Sequence, residues 1–207
     1  MFPTKSRLYL LSCFPGSYSS MANALCSSIR FQSFKKRIAC VQTLVANSAY
    51  SLIDMVNLPF TFGGKVIILP YGLYNPLGLS VMKQHHVNIF FGLPAIMDRF
   101  IKLPIKPDLS NIEFVFVGGA YTSAEQKKKY NSYLRKCGSK ARISIGYGAT
   151  EIGGAAILSS PESEDDSMGL PLPGIKVKIY EENEQKYYNL EDGPRTGVLM
   201  ISSPSVR

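Results

Sequence analysis

The consecutive residues Gly146-Tyr147-Gly148-Ala149-Thr150-Glu151 gather flexible backbone, an aromatic plate, a hydroxyl and a carboxylate in one short stretch. That set suits a nucleotide. Tyr147 can stack on a purine, Gly148 lets a ligand approach bare backbone, Thr150 can donate to a phosphate oxygen, and Glu151 can bind the Mg2+ that neutralises it. The same residues also describe a tyrosine capping a core and a glutamate opening the next helix, so on their own they leave both readings open. A second glycine turn, Val117-Gly118-Gly119-Ala120, follows another apolar run. Ligands of α/β sheets collect at the carboxyl ends of strands, which makes both turns candidates. Two phosphate-binding patterns are excluded. A G-x-G-x-x-G fingerprint from Gly146 would need glycine where Glu151 stands, and a Walker loop through Gly148 and Gly153 would need lysine where Gly154 stands.

Turns of this kind need a strand before them and a helix after them, and the chain supplies both. Short apolar runs at Val41 to Val45, Lys65 to Leu69, Val87 to Phe91, Glu113 to Val117 and Arg142 to Ile145 read as strands. Between them, Tyr50 to Phe60, Pro76 to Gln84, Pro94 to Ile101 and Ala124 to Lys136 carry helical periodicity. Ser123 followed by Gln126 is a capping-box pattern for the last of these, with Glu125 and Lys136 placed to suit the helix dipole. Beyond the polar loop at Glu162 to Asp166, Ile175 to Tyr180 and Gly197 to Ser202 alternate like antiparallel strands. The expected fold is α/β, a mostly parallel sheet with crossover helices, plus a β-rich C-terminal annex. Residues 1–20 read as an atypical leader, 21–158 as the α/β nucleotide- and acyl-binding part, and 159–207 as the annex.

Composition bounds the class. A chain of 207 residues, 45% hydrophobic, with 17 glycines and 13 prolines spread along it, buries a core, which excludes collagen, disorder and a helical membrane bundle. The formal charge of +8 attracts polyanions without distinguishing nucleic acid from a phosphorylated small molecule. A nucleic-acid partner is not expected: Lys127-Lys128-Lys129 lacks interleaved aromatics and reads as a solvated helix face. No acidic residue precedes Asp54, whereas Lys5, Arg7, Arg30, Lys35, Lys36 and Arg37 do. An acid-free start of this kind is what organelle transit peptides look like, the alternative to a cytoplasmic location. The apolar run Leu8 to Phe14 is cut by Pro15-Gly16, and no segment reaches ~18 apolar residues, so no membrane span is expected. Cys13, Cys26, Cys40 and Cys137 form no C-x-x-C pair and read as reduced core thiols, and His85-His86 reads as a solvated helix end.

Taken in order, Gly118-Gly119-Ala120, then Gly146-Tyr147-Gly148-Ala149-Thr150-Glu151, a polar loop, and Met168-Gly169-Leu170-Pro171-Leu172-Pro173-Gly174-Ile175 resemble the adenylate-forming, AMP-binding superfamily of acyl-CoA synthetases, luciferases and peptide-synthetase adenylation domains. Pro59 to Pro70 and His86 to Ile96 are similar to the segment leading into that superfamily's acyl-pocket motif. Gly197 to Pro204 resembles the strand before its next motif.

The resemblance implies a two-step reaction. A carboxylate attacks the α-phosphate of ATP and releases pyrophosphate, and a thiol of coenzyme A or of a carrier protein then captures the acyl group. It assigns Thr150 to the phosphate, Glu151 to Mg2+, and Tyr147 to adenine. Gly118, Gly119, Ala120, Gly146 and Gly148 would line the cleft, and Phe91, Gly92 and Leu93 would flank a carboxylic acid substrate. The family's Pro-Lys-Gly phosphate loop has no counterpart in Met1 to Ser20, and the chain stops at Arg207, ahead of the family's ribose aspartate and catalytic lysine. These departures predict a partial N-terminal domain, not competent alone, that associates through exposed apolar surface. Asn47-Ser48-Ala49-Tyr50 lacks the histidine that many fatty-acyl and aryl members carry there, which keeps peptide-synthetase-like chemistry open.

Overall fold

A computed structural model describes residues 38–44, 47–69 and 73–203. The expected leader, the Leu8 to Phe14 run, Cys13, Cys26, Val45 and the segment after Ser203 lie outside the described residues.

The strands are β1 (Ala39–Gln42), β2 (Lys65–Ile68), β3 (Ile89–Gly92), β4 (Phe114–Gly118), β5 (Ile143–Ala149), β6 (Gly154–Leu158) and β7 (Leu170–Pro171), joined in one sheet of order β2-β1-β3-β4-β5-β6-β7. The first five run parallel, and β6 and β7 continue the sheet antiparallel. Residues of β3 are buried throughout and β4 nearly so, as parallel strands covered on both faces must be. Side chains alternate between faces. Ala39, Val41, Phe90, Val115 and Val117 therefore enter one apolar cluster, while Cys40, Phe91 and Phe116 enter another.

Helices α2 (Pro76–Gln84), α3 (Pro94–Ile101) and α4 (Ala124–Lys136) cover the first face through Met82, Met97, Phe100, Tyr130 and Leu134. Their ends are encoded locally. Asn75 accepts the Gly78 N–H at 2.7 Å ahead of α2, and Pro76 and Pro94 occupy first-turn positions where a missing donor costs nothing. The capping box of α4 is complete: Ser123 Oγ accepts the Gln126 N–H at 3.2 Å, and Gln126 Oε1 accepts the Ser123 N–H at 3.0 Å. Exposed His85 closes α2, and His86 leaves it with a φ of 52°.

The other face is covered by a π-helical segment, Tyr50–Asn57, that runs directly into α1 (Leu58–Thr61). The sequence pattern anticipates a helix here but not its widened winding. Ile53, Met55 and Leu58 from this pair join Leu172, Ile175 and Val177 in the second cluster. A smaller antiparallel sheet, order β10-β8-β9, is built from β8 (Lys176–Glu181), β9 (Lys186–Asn189) and β10 (Val198–Ser202).

One expectation is overturned. Lys127 is not on a solvated face: it is 2% exposed, and its Nζ donates to the Ser160 carbonyl at 3.3 Å and contacts Ser159 Oγ at 3.5 Å. The buried positions of α4 are 127, 130, 131 and 134, a helical stripe that carries Lys127 inward with Tyr130 and Leu134. Its aliphatic stem lies in the interior while the ammonium reaches the chain just past β6.

Candidate functional site

The sheet order reverses between β1 and β3, and β3, β4 and β5, which lie on one side of that switch point, all contribute to one cleft. Phe91, Phe116 and Ser144 form a row of partners across β3, β4 and β5, and Gly118 pairs with Gly146 further along the same face. The floor is therefore bare backbone where side chains would otherwise stand. A cavity of about 190 Å³ opens over it. A Cβ built on Gly146 would meet only Leu158 Cδ1, at 3.8 Å, so it would occupy cavity space. Gly118 serves a different purpose. A Cβ there would lie 2.8 Å from the Gly146 carbonyl oxygen, so its lack of a side chain keeps the ladder closed.

Phe91 stacks on Phe116 with centroids 5.0 Å apart, and the Tyr50 ring meets Phe91 edge-on at 6.1 Å. The Tyr50 hydroxyl is shared between the Gly92 carbonyl at 3.1 Å and the Phe116 carbonyl at 3.3 Å, which ties the π-helical segment to the ends of β3 and β4. Asp54, one turn on, also lines the cavity. It is 3% exposed, and its Oδ2 has no hydrogen-bond partner among the described residues. Burial pushes this carboxyl from 3.8 up to about 8. The Cys40 thiol and the Tyr50 hydroxyl are likewise pushed up, by burial first and by the Asp54 charge second.

Of the residues the sequence singles out, Phe91, Gly118, Gly119, Gly146, Tyr147, Gly148 and Thr150 line this one cavity. Ala120 and Glu151 are exposed and stand outside its lining. Gly92 gives its carbonyl to Tyr50, and Leu93 packs against the cluster on the opposite face. Tyr50 and Asp54 are the functional candidates that motif reasoning missed. The available signal was Asp54 itself, the first acidic residue of the chain, set inside an apolar helical run.

Thr150 and Glu151 share a single 3-10 turn, Thr150–Ile152, that follows β5 and is ended by Gly153 at a φ of 81°. A hydroxyl beside an exposed carboxylate fits a nucleotide-bound Mg2+, which is usually held by one or two carboxylates together with phosphate oxygens. Among the described residues no three metal-ligating side chains cluster, so an ion here would take its remaining oxygens from ligand and water.

A mostly parallel sheet with a reversal in strand order and a glycine-floored cleft at the strand ends defines an α/β ligand-binding domain. Residues 17–207 match the family of AMP-binding enzymes, and the chain belongs to that family. It is 32% identical over 109 residues to acyl-CoA synthetase 7 of Caenorhabditis elegans, covering 52% of this chain and 19% of that protein. It is 26% identical over 120 residues to anthranilate–CoA ligase of Pseudomonas aeruginosa, covering 58% of this chain and 21% of that protein. The chain thus spans about a fifth of these curated relatives. Its fold is similar to o-succinylbenzoate CoA synthetase from Bacillus subtilis in complex with an acyl-adenylate intermediate, with a TM-score of 0.74 at 16% identity, over 92% of this chain and 36% of that one. Among the described residues no helix is long and apolar enough to cross a membrane.

Proposed function

We propose that this chain forms the nucleotide and acyl cleft of an ATP-dependent, carboxylate-activating ligase of the acyl-CoA synthetase type. The observation that carries this reading is the bare backbone at Gly146, paired with Gly118 across the ladder, which leaves open a cavity whose rim holds Tyr147 and Thr150. Adenine stacks on Tyr147 against the bare backbone of Gly118, Gly119, Gly146 and Gly148, with exposed Ala120 following the first of these turns. The Thr150 hydroxyl donates to the α-phosphate, and Glu151 holds Mg2+. The ion supplies positive charge that offsets the charge gathering on the phosphoryl oxygens. Phe91 lies along the acyl group, with Gly92 and Leu93 setting the backbone beside it.

A substrate carboxylate oxygen forms the new bond to the α-phosphorus, and the bond to the bridging oxygen breaks with its electron pair leaving on pyrophosphate. The thiolate of coenzyme A or a carrier protein then attacks the acyl carbon and AMP leaves. Relatives that are an acyl-CoA synthetase and an anthranilate–CoA ligase support coenzyme A as the acceptor. Buried free thiols at Cys40 and Cys137 support a reducing, cytoplasmic setting. Exposed Ile68, Tyr121 and Leu170 support association with further protein surface.

Calorimetric titration of the purified chain with ATP and Mg2+ tests the reading. Saturable binding is expected, with Glu151→Ala removing its Mg2+-dependent part and Tyr147→Ala weakening it about tenfold, the worth of one stacked base. Absence of ATP binding at millimolar concentration would overturn it.

A further inference from the structure

We infer that the edge of the large sheet opposite the cleft docks on an anionic lipid bilayer, with Ile105 entering the headgroup layer and a ring of lysine and arginine side chains around it. The inference is independent of what the cleft binds. Strands β1 to β5 run parallel, so they all begin along this edge, and α3 and α4 end there before β4 and β5. Two bonds lace the segment between α3 and β4 across the end of α4. The Tyr133 hydroxyl donates to the Phe100 carbonyl at 2.8 Å, and the Leu109 N–H donates to the Cys137 carbonyl at 2.8 Å.

Lys102 and Lys106 of that segment therefore join Arg135, Lys136 and Lys140 at the end of α4, and all of them are exposed. Among the described residues none of them has a carboxylate within salt-bridge distance. The acidic residues of the connecting segments are Asp108 and Glu113, and Asp108 is already held by Lys83 at 2.9 Å and by the Ser110 N–H at 3.0 Å. Helix dipoles account for part of this charge. Arg135 and Lys136 lie in the last turn of α4 and Lys102 caps α3, where a cation offsets the helix end. Lys106 and Lys140 stand outside any helix and have no such role.

Between Lys102 and Lys106 the chain turns out an apolar tip: Ile105 is 54% exposed, with exposed Pro104 beside it. An apolar tip among cations suits a bilayer surface, where the tip leaves water at the acyl boundary and the cations meet anionic headgroups. Other polyanions fit less well. Lysine is depleted from protein–protein interfaces, and the tip offers no aromatic ring to stack on a base. The cleft opens at the far ends of these strands, so a chain seated this way keeps it clear of the bilayer.

The experiment is co-sedimentation of the full chain with vesicles of phosphatidylcholine alone and with vesicles containing about one third phosphatidylserine. Binding is expected only to the anionic vesicles, and high salt should weaken it. Lys102→Gln, Lys106→Gln and Lys140→Gln together should lower the partition coefficient about a hundredfold, near fivefold for each lysine at the surface. Lys176→Gln, Lys178→Gln and Lys186→Gln remove the same charge from exposed positions of β8 and β9 and should change it by a few-fold at most. The chain contains no tryptophan, so Ile105→Trp places one reporter at the tip, and its fluorescence should shift to the blue when anionic vesicles are added. No partition, equal losses from the two triple variants, an unshifted tryptophan, or displacement of the chain from vesicles by duplex DNA overturns the inference.

Discussion

Gly118 and Gly146 face one another across the parallel ladder of β4 and β5, and the two glycines are required for opposite reasons. One prevents a collision inside the sheet and the other leaves a hole above it. A Cβ at Gly118 would press to within 2.8 Å of the Gly146 carbonyl, whereas a Cβ at Gly146 meets nothing nearer than 3.8 Å. Substitutions at the two sites therefore separate stability from ligand binding.

Gly146→Leu should fill the cavity floor, weaken binding of ATP or acid by at least about tenfold, and leave the melting temperature within a few degrees. Gly118→Ala should unfold the chain more readily, by about 1 to 3 kcal/mol, because only backbone can move aside. Urea titration and calorimetry on the same samples would show whether the two effects part in this way.

Asp54 gives a pH signature. The folded state holds its proton up to about 8 and the unfolded chain releases it near 3.8, so between these values the folded state binds more protons and stability falls as pH rises. The slope is at most about 1.4 kcal/mol per pH unit. Asp54→Asn removes it. The melting temperature of this variant should exceed that of the native chain by a margin that widens from pH 5 to pH 8, and a margin independent of pH would contradict the buried, unpaired carboxyl.

Lys127→Ala should destabilise the chain by roughly 1.5 to 3 kcal/mol, losing charge-assisted bonding to the strand end and leaving a cavity beside Tyr130. Denaturant unfolding measures this directly. A change below about 0.5 kcal/mol is what a solvated lysine would give.

Ser123→Ala should cost about 1 kcal/mol by unmaking the reciprocal bonds to Gln126 at the start of α4. Hydrogen exchange at the amides of 124–127 would report the fraying locally, ahead of the rest of the helix.

The helices were legible wherever local chemistry marks their ends. Pro76 and Gln84, Pro94 and Ile101, and the Ser123 cap all stand where the pattern places them, because proline and capping side chains act within one turn. Strand β6 was not read from the sequence: Gly153-Gly154 looks like a turn, and only pairing with β5 from the antiparallel side shows that a strand begins at Gly154. Lys127 was misplaced because three adjacent lysines suggest solvent, whereas a helix turns each successive residue to a new direction. The glycine turns were found, and the ladder that sets them face to face is a long-range pairing. Asp54 escaped notice for a related reason. Its meaning lies in the absence of a partner, which depends on Phe91, Phe116 and Gly154 arriving from distant parts of the chain.

The winding of Tyr50–Asn57 has an evolutionary corollary. Each turn there closes over one residue more than an α-helix, as the Leu58 N–H reaching the Ile53 carbonyl shows. Deleting a single codon within this stretch would let it relax to ordinary α-helical spacing, the lost residue offsetting the tighter winding, so the flanking segments would keep nearly their directions while the residues between them change the faces they present. Because Tyr50 and Asp54 line the cavity from this stretch, a change of length by one residue would re-aim the cavity wall with no exchange of residue type.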